Sequence, residues 1–133
     1  MRIAGSLTRS GRHWLAAMPA LDALTQGATR AEAARMAVAW IRDMLDAQGL
    51  DLAVTMTDDG FTIAATDPAP VIALMLRRQR EAAGLSLAEV SARLGAASRN
   101  AYARYEQGRS VPTVTQLDRL MAAINPERGL CLA

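Results

Sequence analysis

The chain has no lysine, one histidine and one cysteine among its 133 residues. With Cys131 as its only thiol, an internal disulfide framework is excluded, and such sparing use of cysteine suits a reducing cytoplasm. One His and one Cys also leave no zinc set and no nucleophile–base pair. Neither a metal centre nor catalysis by this chain is expected, and no cofactor is called for. Aromatic residues are scarce: one Phe, two Tyr and two Trp. The core must therefore be built from Ala, Leu, Val, Ile and Met, as in soluble helical proteins. The longest apolar runs, such as residues 71–76, are far too short to span a bilayer, and the amino terminus lacks a signal peptide's apolar centre. No membrane partner is expected.

What is present instead is arginine, which supplies all 15 positive charges, and its distribution is uneven. Residues 1–67 carry 6 Arg against 8 acids, a balance of −2, whereas residues 68–133 carry 9 Arg against 5 acids, a balance of +4. The second half is the one that attracts a polyanion. Two halves of this size each bury only about 60% of their unfolded surface, so packing between halves or between subunits is expected.

In the first half, residues 2–8 and His13 to Ala17 flank the Ser10-Gly11 turn as a hairpin, and Leu21 to Thr25 reads as a short third strand before Gly27. Thr29 and Glu32 form a capping box that opens a helix, with Ala33, Met36, Ala37, Trp40, Ile41, Met44 and Leu45 as its apolar stripe and Gly49 as its stop. Leu52 to Thr57 and Phe61 to Thr66 alternate around Asp58-Asp59-Gly60 as a second hairpin. These pieces make an α+β layer, a small antiparallel sheet with one helix on one face. The adjacent Asp58 and Asp59 are read as a turn and not as metal-binding carboxylates, because neighbours at a hairpin tip point apart. Asp67-Pro68-Ala69-Pro70 marks the domain boundary and caps the next helix.

The second half is all helical, four or five helices over residues 68–133. The helix from Val71 to Ala83 places Ile72, Met75, Leu76, Gln79 and Ala83 on one face, and Gly84 closes it. Ser86 and Glu89 form a second capping box, followed by Leu87, Val90, Ser91 and Leu94 at helical spacing, with Gly95 as the stop. Ser98 opens the next helix. Its outer face carries Ser98, Arg99, Asn100 and Arg104, while Tyr102 and Tyr105, three apart, belong to the inner face. Arg can grip guanine O6 and N7, and Asn adenine N6 and N7. Arg109 and Thr113, beyond that helix, suit phosphate contacts, which position a module without specifying sequence. Thr113 with Gln116 caps a last helix bearing Leu117, Leu120, Met121 and Ile124, and Asn125-Pro126 ends it. The apolar tail Leu130-Cys131-Leu132 is expected to pair as a strand with a neighbour.

Two helices joined by a tight turn from Leu85 to Gly108 make a helix-turn-helix. From about Val71 to Ile124 the second half resembles the Cro and phage-repressor (XRE-like) family. The matching residues are Arg80 with Glu106, Gly84-Leu85-Ser86, the run from Glu89 to Gly95, Tyr105-Glu106-Gln107-Gly108 and Pro112. The resemblance implies a buried ion pair between Arg80 and Glu106 and sequence-specific DNA binding. It departs from the family in a turn between Gly95 and Ser98 that is one residue longer than usual, and in Leu87, where the family often has a phosphate-contacting Gln.

Residues 1–67 resemble the HicB antitoxin domain, a partial RNase H-like fold, through Pro19, Leu24-Thr25-Gln26-Gly27, Thr29, Glu32-Ala33 and Ala37 in that order. The resemblance implies a toxin-binding domain that masks a small basic mRNA-cleaving toxin of the HicA kind, joined to a domain that represses its own operon. The −2 balance suits such a partner. His13, Trp14, Asp22, Asp43, Asp46 and Asp51 are candidate toxin contacts, with Trp14 equally placed to be core and each acid, taken singly, better read as ordinary surface. Since a repressor-type module reads paired half-sites, a homodimer or larger symmetric assembly is expected. The other function left open is a stand-alone regulator whose first domain senses a ligand or serves dimerisation.

Overall fold

The computed structural model describes residues 1–95, 99–127 and 129–130, without the side chain of Arg99, and divides into two compact units, Met1–Val71 and Ile72–Ala133. That division falls just inside the helix that comes after the proline-rich stretch rather than before it.

In the first unit, strands β1 (Arg2–Ser10), β2 (His13–Met18) and β3 (Ala23–Gly27) form a meander, helix α1 (Arg30–Met44) comes next, and strands β4 (Leu52–Met56) and β5 (Gly60–Ala65) form the second hairpin. The five strands make one sheet in the order β3-β2-β1-β5-β4, with every neighbouring pair antiparallel. Strict alternation then assigns the faces. Ile3, Ala16, Met18, Leu52, Phe61, Ile63 and Ala65 are buried on the side that α1 covers. Ala4, Ser6, Thr8, Leu24, Ala53 and Thr55, one step out of phase, are exposed on the other. Phe61 lies opposite Gly5 in the register, and its ring occupies the space that a side chain at Gly5 would need.

The first half corrects several sequence expectations. The third strand starts two residues later than Leu21, because Pro19–Leu21 forms a single 3-10 turn closed by Asp22 in the left-handed region at φ +46. Helix α1 ends at Met44, well before Gly49, and the left-handed residue beyond it is Asp46 at φ +49. Asp tolerates that conformation by local hydrogen bonding, so no glycine was required. Thr29 does cap α1 by accepting from the Glu32 N–H at 3.1 Å, but the Glu32 carboxylate reaches past Thr29 and accepts from the Ala28 N–H at 2.8 Å.

The buried stripe of α1 is Ala33, Ala34, Ala37, Val38 and Ile41. Met36, expected inside, is 47% exposed, and Trp40 is only half-buried. The cause lies in the sheet: a Cβ on Gly27 would stand 2.5 Å from the Ala33 nitrogen, so strand and helix backbones approach at a distance that only the alanine face permits. Periodicity alone favours the larger side chains.

The second unit holds most of α2 (Ala69–Ala82), with α3 (Leu87–Arg93), α4 (Arg99–Glu106) and α5 (Val114–Ile124). Pro70 sits in the first turn of α2, where its missing N–H has no helical partner in any case. Leu76, Val90, Tyr102, Leu120, Met121 and Ile124 form the core, with Ile72, Met75, Leu85, Leu87, Leu94, Tyr105 and Leu117 packed against it. Ala83, expected on the buried face of the first helix, lies beyond its last turn and is exposed. The expected tail strand at Cys131 lies outside the described residues. No helix of the described residues is long and apolar enough to cross a membrane.

Replacing Gly27 with Ala is expected to lower the stability of the sheet unit by about 1–3 kcal/mol, the usual cost of overpacking. Urea unfolding followed by tryptophan fluorescence reads this unit alone, since Trp14 and Trp40 both lie in it.

Candidate nucleic-acid interface

Polar contacts join the core in fixing the geometry of the helical unit. Ser86 accepts from the Glu89 N–H at 3.1 Å while Glu89 accepts from the Ser86 N–H at 3.3 Å, so both ends of the capping box close at the start of α3. Gly95, at φ +72, ends α3 by adopting the left-handed conformation that a side chain would resist. Thr113 and Gln116 repeat the reciprocal box at α5, with bonds of 3.1 and 2.9 Å. Arg93 donates to the Ala123 carbonyl at 3.0 Å and so ties α3 to the last turn of α5.

The strongest tie joins α2 to α4. Arg80 grips Glu106 with two parallel hydrogen bonds, Nε to Oε1 at 2.6 Å and Nη2 to Oε2 at 3.1 Å, and its remaining terminal nitrogen donates to the Leu85 carbonyl at 2.8 Å. The two side chains are only 14% and 7% exposed. The bonds to Glu106 hold the guanidinium above its ordinary pKa, outweighing the desolvation that pulls it down. Burial likewise pushes the Tyr102 phenol up, with the Glu106 carboxylate beside it adding to the effect. The hydroxyl of Tyr102 is fully buried with no partner in hydrogen-bond geometry. Both tyrosines therefore serve packing, Tyr102 within the core and Tyr105 against it.

These contacts sort the arginines. Arg80 and Arg93 are engaged internally. Arg77 and Arg78 bond Glu81 at 3.0 and 3.3 Å, and Arg77 above all holds that carboxyl below its usual range. Arg104 and Arg109 are exposed, and among the described residues neither makes an ion pair. Asn100, Ala103, Arg104, Gln107 and Arg109 line a single open cleft of about 440 Å³. Three residues expected to contact DNA are thus brought together on one surface.

Gly108 makes this convergence possible. It turns at φ +72, and the chain doubles back so that the Arg109 and Ser110 amides both donate to the Arg104 carbonyl, at 3.0 and 3.3 Å. Arg109 is thereby delivered beside Arg104. Gln107 was not among the residues expected from the sequence, although its spacing of seven from Asn100 and three from Arg104 already put it on their face.

The other expected contacts do not join this cleft. Thr113 is exposed at the start of α5, its side-chain oxygen already accepting from the Gln116 N–H. Ser98, the side chain of Arg99 and the extended turn before them lie outside the described residues. Leu87, at the family's glutamine position, is half-buried and packed on the core. In the sheet unit the candidate toxin contacts do not converge. His13 is exposed at the β1–β2 turn and Trp14 beside it is half-buried, with the Arg30 guanidinium 5.7 Å from the centre of its ring. Arg30 also donates to the Thr57 and Asp58 carbonyls at 2.9 and 2.8 Å, fixing the β4–β5 turn where Asp58 and Asp59 were expected. Asp43 and Asp46 lie at and beyond the last turn of α1, a helix about 22 Å long that starts near Trp14. Asp43 accepts from the Gln48 amide at 2.8 Å, Asp51 from the Thr66 hydroxyl at 2.6 Å, and Asp22 is exposed ahead of β3.

Residues 72–125 match the helix-turn-helix domain family. The match spans α2 from its first turn to the end of α5, the whole frame in which the Arg80–Glu106 pair and the Asn100–Arg109 cleft sit. A helix-turn-helix domain points to a DNA-binding transcription regulator. No curated protein matches the chain.

Truncating Glu106 to Ala leaves Arg80 charged, largely buried and unpaired. This change is expected to cost about 3 kcal/mol or more. Thermal unfolding followed by tyrosine fluorescence checks it, because Tyr102 and Tyr105 are the chain's only tyrosines and both lie in the helix-turn-helix domain.

Proposed function

We propose that the chain is a sequence-specific DNA-binding regulator and, more finely, a HicB-type antitoxin that represses its own operon while its sheet unit binds and masks a basic, mRNA-cleaving toxin of the HicA kind. The observation that carries the DNA-binding part is the cleft in which Asn100, Arg104, Gln107 and Arg109 converge on the exposed side of α4. Bidentate donors such as Arg and Asn on a helix are the side chains that read base edges in a major groove. In this reading Arg109, in the loop after α4, and Thr113, at the start of α5, contact phosphates.

Support for the toxin-binding part is of a different kind. It rests on the ordered residues from Pro19 to Ala37 that resemble the HicB domain, on the acidic balance of residues 1–67, and on the union of an α+β unit with a repressor-type module. A basic partner is steered towards such a surface. In this reading the protein works in the cytoplasm, assigns no catalytic step to its own residues, and acts as a homodimer or larger symmetric assembly reading half-sites about 34–36 Å apart.

Arg104→Ala and Asn100→Ala are each expected to weaken operator binding by about 10- to 100-fold and to relax preference at one base pair. Arg109→Ala is expected to weaken binding to all sequences alike and to flatten its salt dependence. Mobility shifts at two salt concentrations separate these effects. For the toxin, co-expression with the product of an adjacent short basic reading frame is the test: relief of its toxicity and co-purification support the reading, and the absence of both overturns it. The Arg104→Ala variant is expected to neutralise the toxin as well as the parent chain does.

A further inference from the structure

The open face of the five-stranded sheet has an unusual composition for a surface in water. An antiparallel sheet with one face packed normally turns polar and charged side chains outward. Here the outward positions of the three central strands are Arg2, Ala4, Ser6, Thr8 and Ser10 on β1, His13, Leu15 and Ala17 on β2, and Gly60, Thr62 and Ala64 on β5, with Arg2 and His13 at the rim. The edge strands add Leu24 and Gln26 on β3 and Ala53 and Thr55 on β4. Of the 14 Arg, Asp and Glu residues in positions 1–67, strand alternation puts Arg2 and Asp51 on this face, both at its rim, Arg2 opposite Ala64 and Asp51 beside Thr66. Ala4, Ser6, Thr8, Leu24, Ala53 and Thr55 are exposed, and Leu24 is 63% so.

Depletion of charge inside a polar rim is the compositional mark of an interface core. We infer that this face is a self-association surface on which a second copy of the chain packs sheet against sheet. Three features select a second copy over another partner. A two-fold interface lays a surface on itself, so a charged face repels its mate whereas a neutral one does not. The acids near this face, Asp51 beside Thr66 and Asp59 in a shallow pocket with Ala4, Ser6 and Thr62, stand at its rim and leave its centre without charge to draw a basic partner. The mixture of Ala, Ser and Thr with two leucines also lets two sheets close to about 10 Å, with Leu24 as a knob over small residues of the mate. Five strands at their usual spacing offer about 500 Å² of plane per copy, which brings the pair to the roughly 1,000 Å² at which a specific interface becomes possible.

This inference deepens the dimeric part of the proposed function, which requires two helix-turn-helix domains per operator. It does not depend on DNA being the ligand, because self-association is measured without it. The experiment is sedimentation equilibrium of the full chain at about 10 μM, a concentration that populates a standard interface, with Leu24→Asp on an edge strand and Thr8→Arg on a central one. Both substitute exposed residues, and unchanged circular dichroism and urea midpoints confirm that they fold. Each is expected to weaken self-association by about 100-fold, since two-fold symmetry buries the unpaired charge twice. Met36→Asp, on the exposed flank of α1 away from this face, is expected to leave assembly size unchanged. A parent chain that sediments as a monomer, or folded Leu24→Asp and Thr8→Arg variants that assemble as the parent does, overturns the inference. Loss of assembly on Met36→Asp alone would move the interface to the helix side and overturn it equally. Failure of the DNA-binding reading shows separately, as loss of mobility shifts with assembly intact.

Discussion

The paired hydrogen bonds between Arg80 and Glu106 are the contact on which the DNA-facing geometry depends. They join residues 26 positions apart in sequence, and they set α4 against α2 before any apolar side chain of α4 is considered. A carboxylate and a guanidinium taken largely out of water gain little net free energy over an apolar pair. Their value lies in direction: two parallel bonds define the rotation of α4 about its axis more sharply than Tyr102 packing can. The third bond of Arg80, to the Leu85 carbonyl, extends the same constraint to the turn that leads into α3. With that rotation held, Asn100, Arg104 and Gln107 face outward together, and Gly108 returns Arg109 to their side.

The sheet unit works on the opposite principle, in that backbones approach closely and side chains are small. Gly27 against Ala33 and the Phe61 ring over Gly5 are two places where only the absence of a side chain allows the packing. One consequence is that the α1 face buried on the sheet is mostly alanine, which leaves Met36 outside.

Much of this was legible in the residues. The three caps at Thr29, Ser86 and Thr113 mark helix starts because a side-chain oxygen three positions before a free amide is a local device, needing nothing from the rest of the chain. The hairpins and the stops at Gly84, Gly95 and Gly108 are local in the same way. The pairing of Arg80 with Glu106 was legible only through a family resemblance, since no periodicity links residues on different helices. What could not be read was the end of α1, because an aspartate took the left-handed position that composition assigns to glycine, and its buried stripe, because the close approach at Gly27 is a property of two elements at once.

The sequence by itself determined the local vocabulary: which segments form hairpins, the helix caps at Thr29, Ser86 and Thr113, which half is basic, and that Asn100 and Arg104 share one helix face. Only the tertiary structure decided which of the many arginines face outward. Arg77, Arg78, Arg80 and Arg93 are engaged by partners within the protein, and Arg109 is carried back to Arg104 by a turn. The physical reason is that a charge becomes a binding group only where no partner of its own satisfies it, and partners distant in sequence are chosen by packing.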